Sequence, residues 1–300
     1  MTLNRLRPLL FLTVIYTLLV ILWGAWVRIS HSGDGCGDTW PLCHGQLIPM
    51  AERGKTWVEY AHRVMSGLYG ILVILIYIWC RKLFPAGHRA RKYAFWFLFF
   101  CIVEALLGAN LVLFKLVGTD DSFFRALVIG IHQINSLLLS GVAALLLLTS
   151  SESSVLPPLR FPGKAYWKYF LFMMIAMTGA WAALSSTLFP AENFAESISK
   201  ELAEGAPAMM RLRSIHPLLA LTVGIYICLW LYKKISGAQG FLRQAYLQTC
   251  ALWSAGLTIG ILTLLLASPL PMKLTHLLLA HLLWISLLRI FYLRDQFSRA

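Results

Sequence analysis

Eight stretches of this chain are each apolar over about the 20 residues that a helix needs to cross a hydrocarbon core. They lie near 8–28, 59–80, 94–115, 126–149, 167–188, 211–232, 244–267 and 273–293. No other feature narrows the fold as much, because lipid offers no partners to backbone N–H and C=O groups and spanning segments must satisfy them internally. The expectation is an all-α polytopic membrane protein. Composition agrees: 59% of the residues are hydrophobic and 13% charged, far from the roughly 25% charged residues of a soluble domain. The first stretch follows a basic start, "MTLNRLRP", but its apolar run is too long for a signal-peptide core and no small-residue cleavage site follows, so it reads as a span.

Charge gives an orientation. The N-terminus, the loops after the second, fourth and sixth spans and the C-terminal tail together hold 16 Lys or Arg, against Glu152 and Asp295. The opposite side carries 10 residues of each sign. The basic side is expected in the cytoplasm of a cell membrane, with both termini inside. The net charge of +13 then reflects topology and anionic lipid rather than nucleic acid. Cys36 and Cys43, in "GDGCGDTWPLCHG", fall in the first outer loop, where an oxidising compartment favours a disulfide. Two free thiols beside His44 are the other reading, and a zinc site there lacks a fourth ligand. Cys80, Cys101, Cys228 and Cys250 read as small buried apolar groups.

The chain repeats itself. "GAWVRIS" from Gly24 is matched by "GAWAALS" from Gly179, an offset of 155 residues, and His62 by His216, an offset of 154. His132 and His276 form a third pair, offset by 144. Two parallel four-helix units are expected, 1–150 and 151–300, as pseudo-symmetric bundles. The second, fourth, sixth and eighth spans all run inward, and each carries one of these histidines in its first turns. Paired imidazoles on facing apolar helices suit axial ligation of haem iron, His62 with His132 and His216 with His276. His281 sits five residues past His276, about 140° around the helix, and reads as structural.

The halves differ beside their histidines. Glu59 precedes His62 by three residues, on the same face and roughly 4.5 Å further out. Its counterpart in the sixth span is Arg213. Glu59 is a candidate catalytic carboxylate in the first half, although pairing with Arg63 at i, i+4 or helix capping explains it too. Arg28, Arg63, Arg125, Arg211 and Arg213 cluster near outer span ends, placed either to pair with haem propionates or to snorkel. Glu192, Glu196, Glu201 and Glu204, in the loop after the fifth span, read as a short amphipathic surface helix rather than a metal site.

With the Glu59-x-x-His62 pair and the following Arg63, "GIHQINS" around His132, "RSIHPLLA" around His216, "LTHLLLAHLLW" around His276 and the Cys36/Cys43 loop, the chain resembles the haem A synthase family over nearly its whole length. The resemblance implies conversion of haem O to haem A, by oxidation of the C8 ring methyl to a formyl group through successive hydroxylations with oxygen from water. It implies that His62 and His132 hold the substrate and that His216 and His276 ligate a haem b cofactor. Glu59 matches the family's carboxylate, expected to take a proton or stabilise positive charge at the methyl carbon. Expected partners are haem O synthase, cytochrome oxidase assembly factors and an electron acceptor that no motif identifies. The chain departs from Gram-positive-type members in having no second cysteine pair between the fifth and sixth spans. A quinone-linked dihaem membrane cytochrome would use the same four histidines without Glu59, and a transporter with histidine-bearing repeats is the third class.

Overall fold

The computed structural model describes residues 1–50, 53–159 and 166–297. Glu52, Arg160, Lys164 and Arg299, which contribute to the charge asymmetry, lie outside the described residues. The described chain is helical, with α1 Leu3–Ile29, α2 Gly54–Leu83, α3 Arg89–Leu113, α4 Phe123–Thr149, α5 Tyr166–Leu188, α6 Phe194–Leu202, α7 Ala208–Arg211, α8 Ile215–Ile235, α9 Gly240–Leu265 and α10 Leu270–Phe297. Eight helical segments are long and apolar enough to cross a membrane, with α7 and α8 together making the sixth. The protein is thus a multi-pass, all-α membrane protein, and each expected span overlaps one of these segments, the third and seventh running two residues past the helix ends.

The sixth span is not the continuous helix that its hydropathy suggests. A 3-10 turn at Leu212–Ser214 separates α7 from α8. Pro217 explains the break: it has no N–H to donate, and its ring opposes a helical carbonyl four residues back, at Arg213. His216 therefore sits one residue into α8, just after the break. The starts of α3, α4 and α6 carry side-chain caps. The Ser122 hydroxyl accepts from the Arg125 N–H at 3.1 Å, and the Asn193 side chain accepts from Glu196 at 2.9 Å.

Helix α4 lies between two cores. Its Leu139, Ala143 and Leu146 pack with Leu6 and Leu10 of α1, Val73 and Ile76 of α2 and Phe97 of α3. Its Leu137 and Leu145 pack with Tyr169 and Phe172 of α5, Ile227 and Leu231 of α8, Trp253 of α9 and Trp284 of α10. A Cβ at Gly141 would collide with Trp284 and Leu288, so only glycine lets α10 lie this close to α4. At the preceding residue, Ser140 Oγ is 2.9 Å from His281 Nδ1. His281 is buried at this seam, facing away from His276, as its spacing implies.

Polar ties close both ends of the bundle. On the basic side, buried Arg89 reaches Glu152 at 2.9 Å, Asp295 at 2.8 Å and the Pro157 carbonyl at 2.6 Å, joining α3 to the segment after α4 and to the end of α10. At the other end, a Cys36–Cys43 disulfide closes the loop between α1 and α2. Cys80 and Cys101 are buried in apolar surroundings, and Cys228 and Cys250 are partly so. The outward faces of α1 and α8 expose Phe11, Leu12, Leu19, Leu218, Ile225 and Leu229, the surface that lipid covers.

Candidate functional site

Between α5, α8, α9 and α10 lies a cavity of about 390 Å³, within the range of cofactor and small-molecule pockets. His216 and His276 project into it with ring centres 6.0 Å apart and ring planes at 76°. An imidazole nitrogen binds a transition metal at about 2 Å, so two rings bound to one metal from opposite sides have centres roughly 6 Å apart. The observed separation meets that requirement. His216 Nδ1 faces the Ile175 carbonyl at 3.1 Å, which fixes the proton on Nδ1 and leaves Nε2 as the free donor. His276 Nδ1 lies against the Gly256 backbone without a hydrogen bond of normal geometry.

Glycines seat these rings. A Cβ on Gly179 would come within 3.0 Å of His216 Cε1, and one on Gly260 within 3.0 Å of His276 Cε1. In the other half, a Cβ on Gly24 would come within 3.0 Å of His62 Cε1 and 3.1 Å of its Nε2. The repeated "GAW" segments thus mark the same contact twice: a glycine of one span under the histidine of the next. Rings held at a bare backbone, beside an apolar cavity, suit a flat macrocycle bound close to the helices, so the residues fit a haem in the second half.

Around the first pair the structure adds groups that hydropathy obscured. His132 lies opposite Glu104 of α3, whose Oε1 is 3.3 Å from Nδ1, an ion-pair contact rather than an aligned hydrogen bond. Asn135, one turn along α4, donates to Glu104 Oε2 at 2.5 Å and to the Phe100 carbonyl at 3.0 Å. Glu104 was legible as the single carboxylate in the middle of a span, "CIVEALLGA", where an ionisable residue is costly unless it has a task.

Glu59 is buried and fully engaged. Arg63 Nη2 and Nε donate to its Oε1 at 2.6 and 3.1 Å, and the Cys36 N–H donates to its Oε2 at 2.8 Å. Arg63 Nη1 also donates to the Thr39 carbonyl at 2.6 Å. The i, i+4 pairing considered from the sequence is therefore present, and it clamps the disulfide loop over the start of α2. The second half has a matching pair with reversed polarity. Arg213 Nε donates to Glu201 at 3.0 Å, and the Ser214 hydroxyl bonds the other oxygen of Glu201. Glu201 is thus turned inward and buried, unlike the surface position expected of it, because α6 folds back over the start of α8. No group of three or more metal-ligating side chains occurs among the described residues.

The five candidate propionate arginines separate by their partners. Arg63 and Arg213 are committed as above, and Arg125 donates to the carbonyls of Gly118 and Asp120. Arg211 is exposed. Arg28 Nε is buried with no partner, and its side chain lines the cavity of His216 and His276 together with Lys273. Lys273 escaped notice in the sequence, although it precedes His276 by three residues and so shares its helix face.

Comparisons with known proteins give the family. The family model described as "Cytochrome oxidase assembly protein" (COX15-CtaA) matches residues 7–288. A Thermus thermophilus protein named "Protoheme IX farnesyltransferase" is 36% identical over 289 residues, covering 94% of this chain but 47% of its own length. "Heme A synthase" of Shouchella clausii is 32% identical over 269 residues, 85% of this chain and 83% of the relative. "Heme A synthase" of Halalkalibacterium halodurans is 36% identical over 160 residues, 53% of this chain and 51% of the relative. The chain spans about half the length of the Thermus relatives it matches. With a family match over nearly all its residues, this chain belongs to the cytochrome oxidase assembly protein family COX15-CtaA, the haem A synthase family whose motifs it carries.

Proposed function

We propose that the protein is a haem A synthase of the cell membrane, oxidising the C8 methyl of haem O to a formyl group through successive hydroxylations with oxygen from water. The observation that carries this reading is the His216–His276 pair, with ring centres 6.0 Å apart across an apolar cavity, in a chain of this family. The two halves are read as pseudo-symmetric bundles, 1–150 for the substrate and 151–300 for the cofactor. His216 and His276 would hold haem b, with Arg28 and Lys273 as the free cations for its propionates. Haem b, when bound, supplies one-electron redox chemistry.

The remaining work falls to the first half. His62 and His132 orient the substrate. Glu59, held by Arg63 and the Cys36 N–H, keeps a negative charge at a fixed place one helical turn from His62. A fixed anion facing carbon from which electrons are being withdrawn stabilises the developing cation, an effect of about 3–4 kcal/mol for one preorganised group. Each hydroxylation removes two electrons and two protons from methyl carbon and water, and Glu59 is the acceptor for a proton. The electrons leave to an acceptor outside the chain.

The basic ends, which hold 16 Lys or Arg, support cytoplasmic termini and haem sites toward the outer face. The Thermus relative, named for farnesyl transfer to protohaem and about twice as long, supports a partnership with the enzyme that makes haem O. The test is expression with and without a haem O source, followed by mass analysis of the extracted porphyrins. Haem A appearing only with that source supports the synthase. Unmodified haem at both sites points to a dihaem cytochrome, and colourless protein to a transporter.

A further inference from the structure

We propose that Glu104 makes His132 the permanent axial ligand of the first site and leaves His62 as the displaceable one, so that the substrate's iron opens on the face that carries Glu59. The inference rests on the haem reading above and deepens it.

The two imidazoles are supported unequally. Behind His132 stands a carboxylate 3.3 Å from Nδ1, itself held by Asn135. A carboxylate behind a ligating histidine orients the ring and strengthens its donor nitrogen, and removing such a partner typically weakens metal binding about 10–100-fold. Neither Nδ1 makes an aligned hydrogen bond among the described residues, but His132 has the Glu104 carboxylate at 3.3 Å and His62 Nδ1 has no carboxylate in such contact. The seat at Gly24 is a packing contact, with no directional bond to fix the ring. Of two ligands competing to stay on one metal, the ring without a backing acceptor dissociates first.

Geometry gives this asymmetry a use. His62 and Glu59 are three residues apart on one face of α2, so the side of the macrocycle that His62 leaves is the side on which the Glu59 carboxylate is held. Dissociation breaks one iron–nitrogen bond, and the imidazole departs neutral with its electron pair. No redox change accompanies it.

The experiment uses full-length protein in detergent with His216→Ala, which removes the second pigment, and hemin as the probe. His62→Ala is expected to retain hemin in a five-coordinate, high-spin form that binds carbon monoxide when reduced. His132→Gly is expected to release hemin to a scavenger at least tenfold faster, with added imidazole restoring retention as evidence of an intact fold. Glu104→Gln should speed release about tenfold and raise the reduction potential, and Glu104→Asp should recover part of both. Equal release from the two histidine variants, or an unchanged rate and potential in Glu104→Gln, overturns the assignment. If the His216→Ala protein takes up no hemin at all, the haem reading of the first site fails, and this inference fails with it.

Discussion

Adding one methyl group at Gly179 should separate His216 from its task without touching the ligand itself. The new Cβ would lie 3.0 Å from Cε1 and 3.2 Å from Nδ1 of the ring, against an optimum carbon contact of about 3.5–4.0 Å. The ring must therefore move by roughly 0.5 Å or more. It cannot do so freely, since Nδ1 is held to the Ile175 carbonyl at 3.1 Å. Overpacking a close contact costs about 1–3 kcal/mol, and strain on that hydrogen bond falls within the same range. At 1.4 kcal/mol per decade, haem affinity at the second site should fall by about 5- to 150-fold. The assay is titration of purified Gly179→Ala with hemin, followed by its Soret band. Gly70→Ala, where a Cβ meets nothing within 4 Å, is the control expected to bind normally. Wild-type affinity and spectrum in Gly179→Ala would refute the seating argument, and with it the physical meaning given to the repeat.

Three further outcomes follow from the same structure. Glu59→Ala should leave the haem b spectrum of the second site in place while haem A formation stops, as read by porphyrin mass; continued haem A production removes Glu59 from the chemistry. Arg89→Ala removes the buried cation shared by the partly buried carboxylates of Glu152 and Asp295, a change that for a buried pair costs about 3–5 kcal/mol, so thermal unfolding in detergent should begin below wild type. Cys36→Ser with Cys43→Ser frees the loop whose N–H holds Glu59; haem A yield should drop with little change at the second site, and an undiminished yield means that the loop does not position the carboxylate.

Much of the site was legible because lipid penalises polar groups so strongly. Four histidines on alternate spans, and Glu59 one turn before the first, stand out against apolar neighbours. By the same rule Glu104 should have been singled out too; its task, backing His132, depends on α3 and α4 packing side by side. Glu201 looked like one of several surface carboxylates, and only the fold of α6 onto the start of α8 turns it toward Arg213. The five candidate arginines were equivalent on paper. Partners contributed by other segments, such as the Thr39 carbonyl for Arg63, separate them and leave Arg28 with Lys273.

The number of membrane-crossing segments and the helical class were contained in the residue order, since they follow from local hydrophobicity and from backbone hydrogen bonding within a segment. Which imidazole faces which, which glycine seats a ring and which cation stays unpaired were decided by tertiary packing. Those properties depend on contacts between different helices, such as Gly24 with His62 and His216 with His276, and a periodicity within one helix does not encode the rotation at which its neighbour docks.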